Sequence, residues 1–350
     1  MGSLLVVVPV RDGANTLPRC LDALVRALPA GAEIVVVDDG SHDASAAVAA
    51  RFPVRLVAHA QSRGASAARN TGAAASDAAL VAFVDADVVV RPDALTRLVA
   101  VLAAEPEASG ANGILSLDLS TPGWMSAFAN TSIHYQHLCH GLRVASAFTS
   151  VCVLRRTALV KMGGWEADTS RYADDVATRW HLPPGSILLD VSAQGEHLKR
   201  VSVTGLLKHR FNIGWFYFNS IVSHWGQVRE RPATTVLALR YPLNTAAAAL
   251  SVALLPVMAW APARPAMLLP AALFVLANSR FALFTLRARG AAEALIAIPL
   301  STIEGFAYMF GICASATMRV WRARERAPTA VGPVRVPVRE GRPEEPPPDA

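Results

Sequence analysis

The sequence predicts an α/β protein with a doubly wound sheet, followed by apolar helices long enough to cross a membrane. Short β-branched runs alternate with amphipathic segments over the first hundred residues, as in parallel strands joined by helices. Long apolar runs follow, and they raise the hydrophobic content to 53% and the mean hydropathy to +0.33. We therefore expect a globular region at 1–230, a membrane region of two or three helices at 236–318, and a disordered Pro-, Glu- and Arg-rich tail at 328–350.

The N-terminal third contains four expected strands, each followed by an expected helix. The first strand is a continuous Leu/Val run, which is typical of a parallel sheet buried on both faces. These four strands are Ser3–Val8, Glu33–Val37, Val54–Ala58 and Leu80–Val84, and the helices are Asn15–Leu28, a segment ending at Phe52, Ser62–Ala75 and Pro92–Ala104. Two further strands, Ser109–Leu117 and Phe148–Leu154, are expected later in the chain. Ligands of such sheets bind at the carboxyl ends of the strands, so polar residues there are the first candidates for a site.

The basic charge of the chain indicates contact with anionic lipid. The formal net charge is +6 and the isoelectric point is about 9.5. Arginines cluster beside the apolar segments, at 229–240, 287–289 and 319–326, as in proteins that contact lipid headgroups. The aromatic and basic residues do not form a pattern typical of nucleic-acid-binding modules, so nucleic acid is not expected as a partner.

Three apolar segments are candidates for membrane spans. Tyr241–Trp260 carries no charge and is long enough to cross a bilayer, and Ala266–Leu286 is a second candidate. Gly290–Met318 contains two carboxylates and a proline, so it is a third span or a re-entrant or interfacial segment. The aromatic and basic segment 206–228 suits a membrane interface, with an ordinary core helix as the alternative. We expect a multi-pass protein of the inner or plasma membrane, with its globular region in the cytoplasm.

The cysteines and the N-terminus agree with a reducing compartment. The four cysteines show neither metal-like nor paired spacing. The apolar stretch at the N-terminus is short and lacks a preceding basic region, so no cleavable signal peptide is expected.

An Asp-Ala-Asp motif follows the fourth expected strand. Hard divalent cations bind carboxylate oxygens, and such a cation neutralises the charge of a diphosphate leaving group. We expect Asp87 to bind the metal and Asp85 to orient a ribose or a metal-bound water. His197 is a further candidate ligand, with a structural role as the alternative. Short acidic motifs are common by chance, and the position after a buried strand is what singles this one out.

Other polar residues are expected at the same edge of the sheet. Asp38 and Asp39 follow the second strand and can accept hydrogen bonds from a base edge or a ribose hydroxyl; a turn with a helix cap is the alternative. Gly40 permits a close backbone approach. Arg69 lies on an Ala- and Gly-rich expected helix, from which it can contact a pyrophosphate or pin the acidic strand ends. An exposed surface arginine is the alternative there.

A pair of carboxylates later in the chain is the candidate for a general base. Asp174 and Asp175 lie at an expected helix start, preceded by a Gly-Gly-Trp motif. A carboxylate near a donor site can remove the proton of an acceptor hydroxyl as it attacks. We assign that role to Asp175 with support from Asp174, and a helix-capping pair is the alternative.

These elements, in this order, resemble family 2 glycosyltransferases with the GT-A fold, a Rossmann-like doubly wound sheet. The matching segments, within residues 3–215, are VVVPVRDGANTLPRCLDAL, EIVVVDDGSHDAS, SRGASAARNTGAAAS, VAFVDADVVVRPDAL and MGGWEADTSRYADDVATRW. The resemblance implies a nucleotide-sugar donor, Mg or Mn as cofactor, and inversion at the anomeric carbon. It also implies positions: Pro9 and Asp39 near the nucleobase, Arg69 near the phosphates, Asp85 and Asp87 at the ribose and metal, and Asp175 as base.

Three functions remain in competition. The family usually has Glu at Asp174 and often Arg at His181. Processive synthases carry a Gln-x-x-Arg-Trp motif. The segment of this sequence that is most similar to it is Lys208–Phe211, which does not match the motif. Transfer of one sugar to a lipid-linked or membrane-proximal acceptor, in envelope glycan or glycolipid synthesis, is therefore preferred to processive synthesis. A non-catalytic nucleotide-binding membrane scaffold is the alternative from another class, and a dinucleotide oxidoreductase is excluded because the first turn lacks Gly-x-Gly-x-x-Gly.

Overall fold

The computed structural model describes residues 3–121, 123–139, 141–144, 146–165, 174–230, 237–256 and 265–326. Within these ranges, the backbone alone is described at 174–177, 228–230, 237–242 and 322–326. The tail predicted to be disordered lies outside the described residues.

The N-terminal part alternates strands and helices as predicted. Its elements are β1 (Leu4–Val10), α1 (Leu17–Ala27), β2 (Glu33–Asp38), α2 (Ser45–Ala49), β3 (Arg55–Ala58), α3 (Ala65–Ala73), β4 (Leu80–Val84), β5 (Val88–Val90) and α4 (Ala94–Ala104). The predicted bounds of β4 agree with the structure at both ends. The short strand β5, which begins one residue after the Asp-Ala-Asp motif, is not anticipated by the sequence analysis.

The middle part is less regular. Its elements are β6 (Gly110–Leu115), α5 (Trp124–Leu138), β7 (Arg143–Val144), β8 (Val151–Arg155), α6 (Arg156–Lys161), α7 (Asp174–His181) and β9 (Ile187–His197). The strands predicted near β6 and β8 are confirmed with shorter bounds. Helix α7 begins at Asp174, as expected from the sequence.

The strands form one mixed sheet in the order β3-β2-β1-β4-β8-β6-β9-β5, with β7 paired to β9. The four strands β3, β2, β1 and β4 are parallel, which confirms the doubly wound part of the prediction. Antiparallel β8 follows β4, and β5 pairs antiparallel with β9. The carboxyl ends of β1, β2 and β4 therefore lie at one edge, and β9 returns to that edge beside the Asp-Ala-Asp motif.

Strand β1 is buried on both faces because helices cover the sheet on each side. Val6 and Val8 pack in a cluster with α1 and α4, whereas Leu5 and Val7 pack in a cluster with α3 and α6. All four side chains are fully buried. Such a two-sided core explains the continuous Leu/Val run, and it holds the strand ends rigidly at the edge that carries the polar residues.

Helices make up the described C-terminal part: α8 (Val203–Ser223), α9 (Trp225–Glu230), α10 (Leu237–Leu254), α11 (Leu268–Arg289) and α12 (Ala291–Arg326). Helix α8 packs along α12 with the two backbones in direct contact. A Cβ on Gly214 would overlap the carbonyl of Tyr308, and a Cβ on Gly311 would overlap the carbonyl of Phe211. Most of the segment 206–228 is thus a helix packed against α12.

Two described helices are long and apolar enough to cross a membrane by length and composition, Pro265–Arg289 and Ala291–Trp321. The first coincides with a predicted span. The predicted span Tyr241–Trp260 is a shorter apolar helix where the structure describes it, and its end lies outside the described residues. The third candidate segment lies in α12, which is one continuous helix; the alternatives of a span, a re-entrant segment and an interfacial segment stay predictions. Glu304 of this helix is paired at 2.7 Å with Arg210 of α8, which offsets the cost of burying the carboxylate.

Candidate active site

The loops that follow β1 and β2 are tied together by hydrogen bonds. The amide of Asp12 donates to Ser41 Oγ at 3.0 Å, and the amide of His42 donates to Asp12 Oδ1 at 2.7 Å. The amide of Gly13 donates to Ser45 Oγ at 2.9 Å. Asp12 has a φ of +51°, an uncommon backbone conformation for a residue with a side chain. These bonds fix the rim of the sheet edge before any ligand binds.

Asp39 is buried and organises the loop that leads into α3. Its Oδ1 accepts from His59 Nδ1 at 2.7 Å and from the amide of Arg63 at 2.8 Å. Its Oδ2 accepts from Ser62 Oγ at 2.7 Å and from the amide of Gly64 at 2.9 Å. Burial alone would raise the pKa of Asp39, but these hydrogen bonds outweigh it and hold the pKa below its ordinary value. A carboxylate offers about four lone-pair sites, so all of them are engaged by the protein.

Asp38 and His59 belong to the same strand-end network. Asp38 is buried, and its Oδ1 accepts from the amide of Ser41 at 3.0 Å. His59 Nε2 lies 2.9 Å from Thr71 Oγ1, which ties the end of β3 to α3. The sequence analysis missed His59. Its position directly after β3, at the same edge as the two aspartates, is the signal that could have found it.

Arg69 reaches the Asp-Ala-Asp motif from α3. Its Nη2 donates to Asp85 Oδ1 at 2.9 Å, and the arginine side chain is only 6% exposed. The guanidinium lies over the ring of Trp165, 5.6 Å from the ring centroid, and that ring packs edge-on against Phe83 of β4. Arg69 is therefore a buried arginine pinned to the strand end, and the alternative of an exposed surface arginine is wrong.

Asp87 meets His197 across the β5–β9 pair. His197 Nε2 lies 3.4 Å from Asp87 Oδ2, and the amide of Leu198 donates to the carbonyl of Asp87 at 2.8 Å. Burial opposes ionisation of Asp87, but the contact with His197 and the charge of Lys199 hold its pKa below the ordinary value. Burial raises the pKa of Asp85, with a contribution from the charge of Asp87, and Arg69 counteracts the rise. The structure thus brings three of the predicted residues, Asp85, Asp87 and His197, together.

An open cavity of about 810 Å³ lies above the motif. Among the predicted residues, Pro9, Asp85 and Asp87 line it. The sequence analysis did not assign several other polar residues that line the cavity: Arg19, Ser120, Thr121, Lys199 and Arg200. They come from α1, from the loop before α5 and from the loop between β9 and α8, which meet only in the folded chain.

A divalent cation fits the chemistry of the motif. Two carboxylates stand side by side; burial raises the pKa of Asp85, and the negative charge of Asp87, which a cation would offset, adds to the rise. Mg²⁺ in proteins is commonly held by one or two carboxylates together with substrate phosphates. Within the described ranges, no group of three or more His, Cys, Asp or Glu side chains is arranged to hold a metal.

Asp174 and Asp175 lie in the first turn of α7, and their side chains lie outside the described part of the structure. The helix itself is anchored close to the motif. Thr178 Oγ1 accepts from the amide of Ala147 at 3.0 Å, and the amide of Asp85 donates to the carbonyl of Ser150 at 3.3 Å. The same short segment before β8 therefore contacts both α7 and the motif.

Comparison with known proteins identifies the domain. Residues 5–160 match the model of glycosyl transferase family 2, and this range includes β1–β4, α3 and the Asp-Ala-Asp motif. The chain carries a family 2 glycosyltransferase domain. Its strand-end aspartates and Arg69 are part of that domain, and the GT-A prediction is confirmed for the sheet that carries them.

Curated glycosyltransferases share part of the chain. The pre-mycofactocin glycosyltransferase of Mycobacterium tuberculosis is 31% identical over 189 residues, which are 51% of this chain and 38% of that protein. Succinoglycan biosynthesis protein ExoO of Rhizobium meliloti is 38% identical over 96 residues, 27% of this chain and 28% of that protein. The matched region spans well under half of either relative.

A solved structure shares the fold of the glycosyltransferase domain and of more of the chain. The mannosyltransferase PcManGT from Pyrobaculum calidifontis, in complex with GDP-Man and Mn²⁺, superposes with a TM-score of 0.50 at 19% identity. The likeness covers 92% of this chain and 88% of that chain, so it extends past residue 230. At this identity it establishes a common fold.

Proposed function

We propose that the chain is an inverting, metal-dependent glycosyltransferase that moves one sugar from a nucleotide-sugar donor to a lipid-linked or membrane-proximal acceptor. The observation that carries the proposal is the Arg69–Asp85 ion pair at the end of β4, placed beside Asp87 at the base of an open cavity of about 810 Å³. A buried arginine beside two carboxylates suits a ligand that combines a diphosphate with a cation.

The donor would lie across the strand ends. Pro9 at the end of β1 lines the cavity next to the loops that Asp38 and Asp39 organise, which suits the nucleoside. Since Asp39 already accepts four hydrogen bonds from the protein, we assign it mainly to the shape of the nucleoside site. Asp85 would orient the ribose or a metal-bound water, with Arg69 directed to the phosphates. The GDP-Man complex of the similarly folded mannosyltransferase supports a nucleotide-sugar donor.

Asp87 and Asp85 would hold Mg²⁺ or Mn²⁺, with His197 as a further ligand. The cation supplies positive charge to the diphosphate as the glycosidic bond breaks. His197 is positioned for this by the β5–β9 pairing, which sets it opposite Val88. The Mn²⁺ in the mannosyltransferase complex supports this assignment.

Asp175 would be the general base, with Asp174 as its support. It takes the proton of the acceptor hydroxyl while the acceptor oxygen forms a bond to the anomeric carbon from the face opposite the leaving group. The nucleoside diphosphate departs with the electron pair of the broken bond, so configuration inverts. The position of α7, anchored through Thr178 to the segment beside Asp85, supports this role.

The C-terminal helices would anchor the domain to the inner or plasma membrane as a multi-pass protein with a cytoplasmic active site. Only 22% and 39% of the two most apolar windows are buried against the rest of the described chain, which is unlike the core helices of a globular domain. The arginines at the end of α11 support a cytoplasmic position for that end. The ExoO relative supports a place in envelope glycan synthesis.

Nucleotide release tests the proposal. The full chain, solubilised in detergent, is incubated with a panel of UDP-, GDP- and dTDP-sugars and Mn²⁺, with and without a membrane lipid extract. Removing the base should lower turnover by about 10²–10⁴-fold in Asp175→Asn while donor binding persists. Asp22→Asn, an exposed carboxylate of α1, is the matched control.

Lipid-stimulated release from one donor, lost in Asp175→Asn and kept in Asp22→Asn, is the expected result. If no donor released its nucleotide and nucleotide binding did not depend on Mn²⁺, the proposed enzymatic activity would be overturned. A non-catalytic membrane scaffold would then be favoured.

A further inference from the structure

Helix α7 is too short to fix its own position. It contains eight residues, and isolated helices shorter than about 12–15 residues are marginal in water. Its first turn carries Asp174 and Asp175, so the position of the proposed general base depends on how the rest of the chain holds this helix. The contacts of α7 with its neighbours therefore bear directly on catalysis.

Two buried side chains of α7 point to different parts of the structure. Thr178 Oγ1 accepts from the amide of Ala147, in the segment before β8. Trp180 Nε1 donates to Ser220 Oγ of α8 at 2.8 Å. Residues two positions apart point about 200° apart around an α-helix. Helix α7 is thus held between the segment before β8 on one side and α8 on the other.

The indole of Trp180 is fixed in orientation as well as in position. Its plane lies parallel to the imidazole of His224, with 4.8 Å between the ring centroids and an interplanar angle of 3°. His224 Nδ1 lies 2.9 Å from the carbonyl oxygen of Ser220, so the hydroxyl and the imidazole belong to one surface at the end of α8. Stacking alone would let the indole slide over the imidazole, whereas the hydrogen bond selects one position.

The end of α8 is itself held by α12. Arg319 Nε donates to Asn219 Oδ1 at 2.9 Å, and Arg319 Nη2 donates to Ser223 Oγ at 3.2 Å. These two acceptors lie on either side of Ser220 in the sequence of α8. Trp180 therefore docks on a surface that is fixed to a second helix, and the contact constrains the position of α7.

We propose that Trp180 is a positioning residue for the general base: its hydrogen bond to Ser220 and its stack on His224 dock α7 so that Asp175 reaches the acceptor hydroxyl. The inference rests on the proposed function, because it concerns how the base of the same active site is held. Trp180 does not line the cavity, so it acts through α7. A displacement of about 1 Å can lower the rate of an enzyme about 100-fold, so a small change in docking should be visible in turnover.

Steady-state nucleotide release by the full chain tests this role. The assay contains detergent-solubilised protein, Mn²⁺, a fixed amount of membrane lipid extract and the nucleotide sugar that the wild type consumes. Trp180→Phe keeps an aromatic ring and removes the hydrogen-bond donor, whereas Ser220→Ala removes the acceptor. Each variant should lower the apparent kcat about 10- to 100-fold and leave the KM for the nucleotide sugar unchanged. Trp225→Phe, the same change at an exposed tryptophan of α9, is the matched control and should behave as wild type.

Combination with Asp175→Asn separates positioning of the base from a general loss of activity. Residues that act as a unit give losses that do not multiply. Because Trp180 acts through the base, Trp180→Phe should lower the residual apparent kcat of Asp175→Asn little further. The unfolding midpoint of each variant shows whether it is folded at the assay temperature. If Trp180→Phe is unfolded there, Ser220→Ala, which leaves both rings in place, decides the outcome.

Equal apparent kcat in Trp180→Phe and Trp225→Phe would overturn the inference, and so would a full further loss in the Asp175→Asn background. A raised KM for the nucleotide sugar at unchanged kcat would assign Trp180 to the donor site, which also overturns it. In each of these cases release by the wild type leaves the proposed function standing. Lack of release by the wild type would instead remove the proposed function and, with it, this inference.

Discussion

Trp165 and Asn70 hold each other through a reciprocal pair of hydrogen bonds. The amide of Trp165 donates to Asn70 Oδ1 at 2.8 Å, and Asn70 Nδ2 donates to the carbonyl of Trp165 at 2.7 Å. The pair fixes the Gly-Gly-Trp motif to α3, one residue after Arg69. Because the indole lies under the Arg69 guanidinium, Asn70 also sets the position of the arginine that meets Asp85.

Replacing Asn70 should therefore weaken both the fold and the site. Asn70→Ala leaves two buried backbone groups of Trp165 without their partner, so we expect the free energy of unfolding to fall by about 1–3 kcal/mol. Urea unfolding measures the change. Gln61→Ala, an exposed amide nearby, should have little effect, and equal stability of the two variants would contradict the assigned role.

Asp39 should make the fold sensitive to acid. Hydrogen bonds outweigh burial and hold its pKa below the ordinary value of about 3.9. A carboxyl with a lowered pKa in the folded state stabilises the fold fully above the unfolded pKa, and that stabilisation is lost as pH falls through the folded pKa. Wild type should therefore lose more unfolding free energy than Asp39→Asn on acidification below about pH 5. Urea titrations at a series of pH values measure the unfolding free energy of both proteins. Equal losses of unfolding free energy in wild type and Asp39→Asn would contradict the role assigned to Asp39.

Asp87 should make nucleotide binding depend on metal. Asp87→Asn should reduce Mn²⁺-dependent affinity for UDP or GDP by more than the ~10-fold typical of losing an outer-shell partner. Calorimetric titration with and without Mn²⁺ measures both affinities. The metal-independent part should change little, and Asp22→Asn should behave as wild type. If the affinity of Asp87→Asn for the nucleotide depended on Mn²⁺ as that of the wild type does, the metal would not bind at the motif.

The stability of the chain should depend on Arg210 and Glu304 being present together. Removing one of the two buried charges should cost more stability than removing both. Both side chains are at most 5% exposed, so removing one partner takes away the ion pair that offsets a buried charge. We expect Glu304→Leu to cost about 3–5 kcal/mol, and the double variant with Arg210→Met to recover much of it. Thermal unfolding in detergent, followed by circular dichroism, compares the three proteins. A double variant as unstable as the single one would show that other partners hold these groups.

The glycine contacts between α8 and α12 give a matched pair of variants. Gly214→Ala places a methyl group against the carbonyl of Tyr308, so it should destabilise the chain by about 1–3 kcal/mol. Gly226→Ala on α9 meets open space and should be neutral or slightly stabilising, as expected for alanine in a helix. The two unfolding midpoints in detergent should therefore move in opposite directions or differ clearly, and a tolerated Gly214→Ala would mean that the helices pack less closely.

The sequence predicted the parallel half of the sheet because its signals are local. The apolar runs of β2 and β4 and the acidic residues at their ends define strand ends without knowledge of the fold. The resemblance added the order of the elements. Asp85 and Arg69 were both candidates from the sequence, and the distance of 2.9 Å between them required the structure.

The remaining part of the site depends on long-range pairing. Lys199 lies beside Asp87 because β9 pairs with β5, although more than a hundred residues separate them in the sequence. Short β5 has no periodic pattern, and β9 contains polar residues that mask its alternation. Likewise, the carboxylates of Gly290–Met318 left open whether that segment spans a membrane, and only the structure shows that Arg210 pairs with Glu304.

The continuity of α8 has a consequence for how the enzyme responds to its lipid environment. The helix starts three residues after Arg200 and runs for 21 residues, or roughly 30 Å, alongside α12. Its glycine contacts bring the two backbones together at Tyr308 and Phe211, so we expect the helices to move as one unit. In the proposed orientation, a thinner bilayer that increases the tilt of α12 also rotates α8, and with it the cavity wall. The transfer rate should therefore depend on the acyl-chain length of the host lipid, even when the acceptor and donor are unchanged.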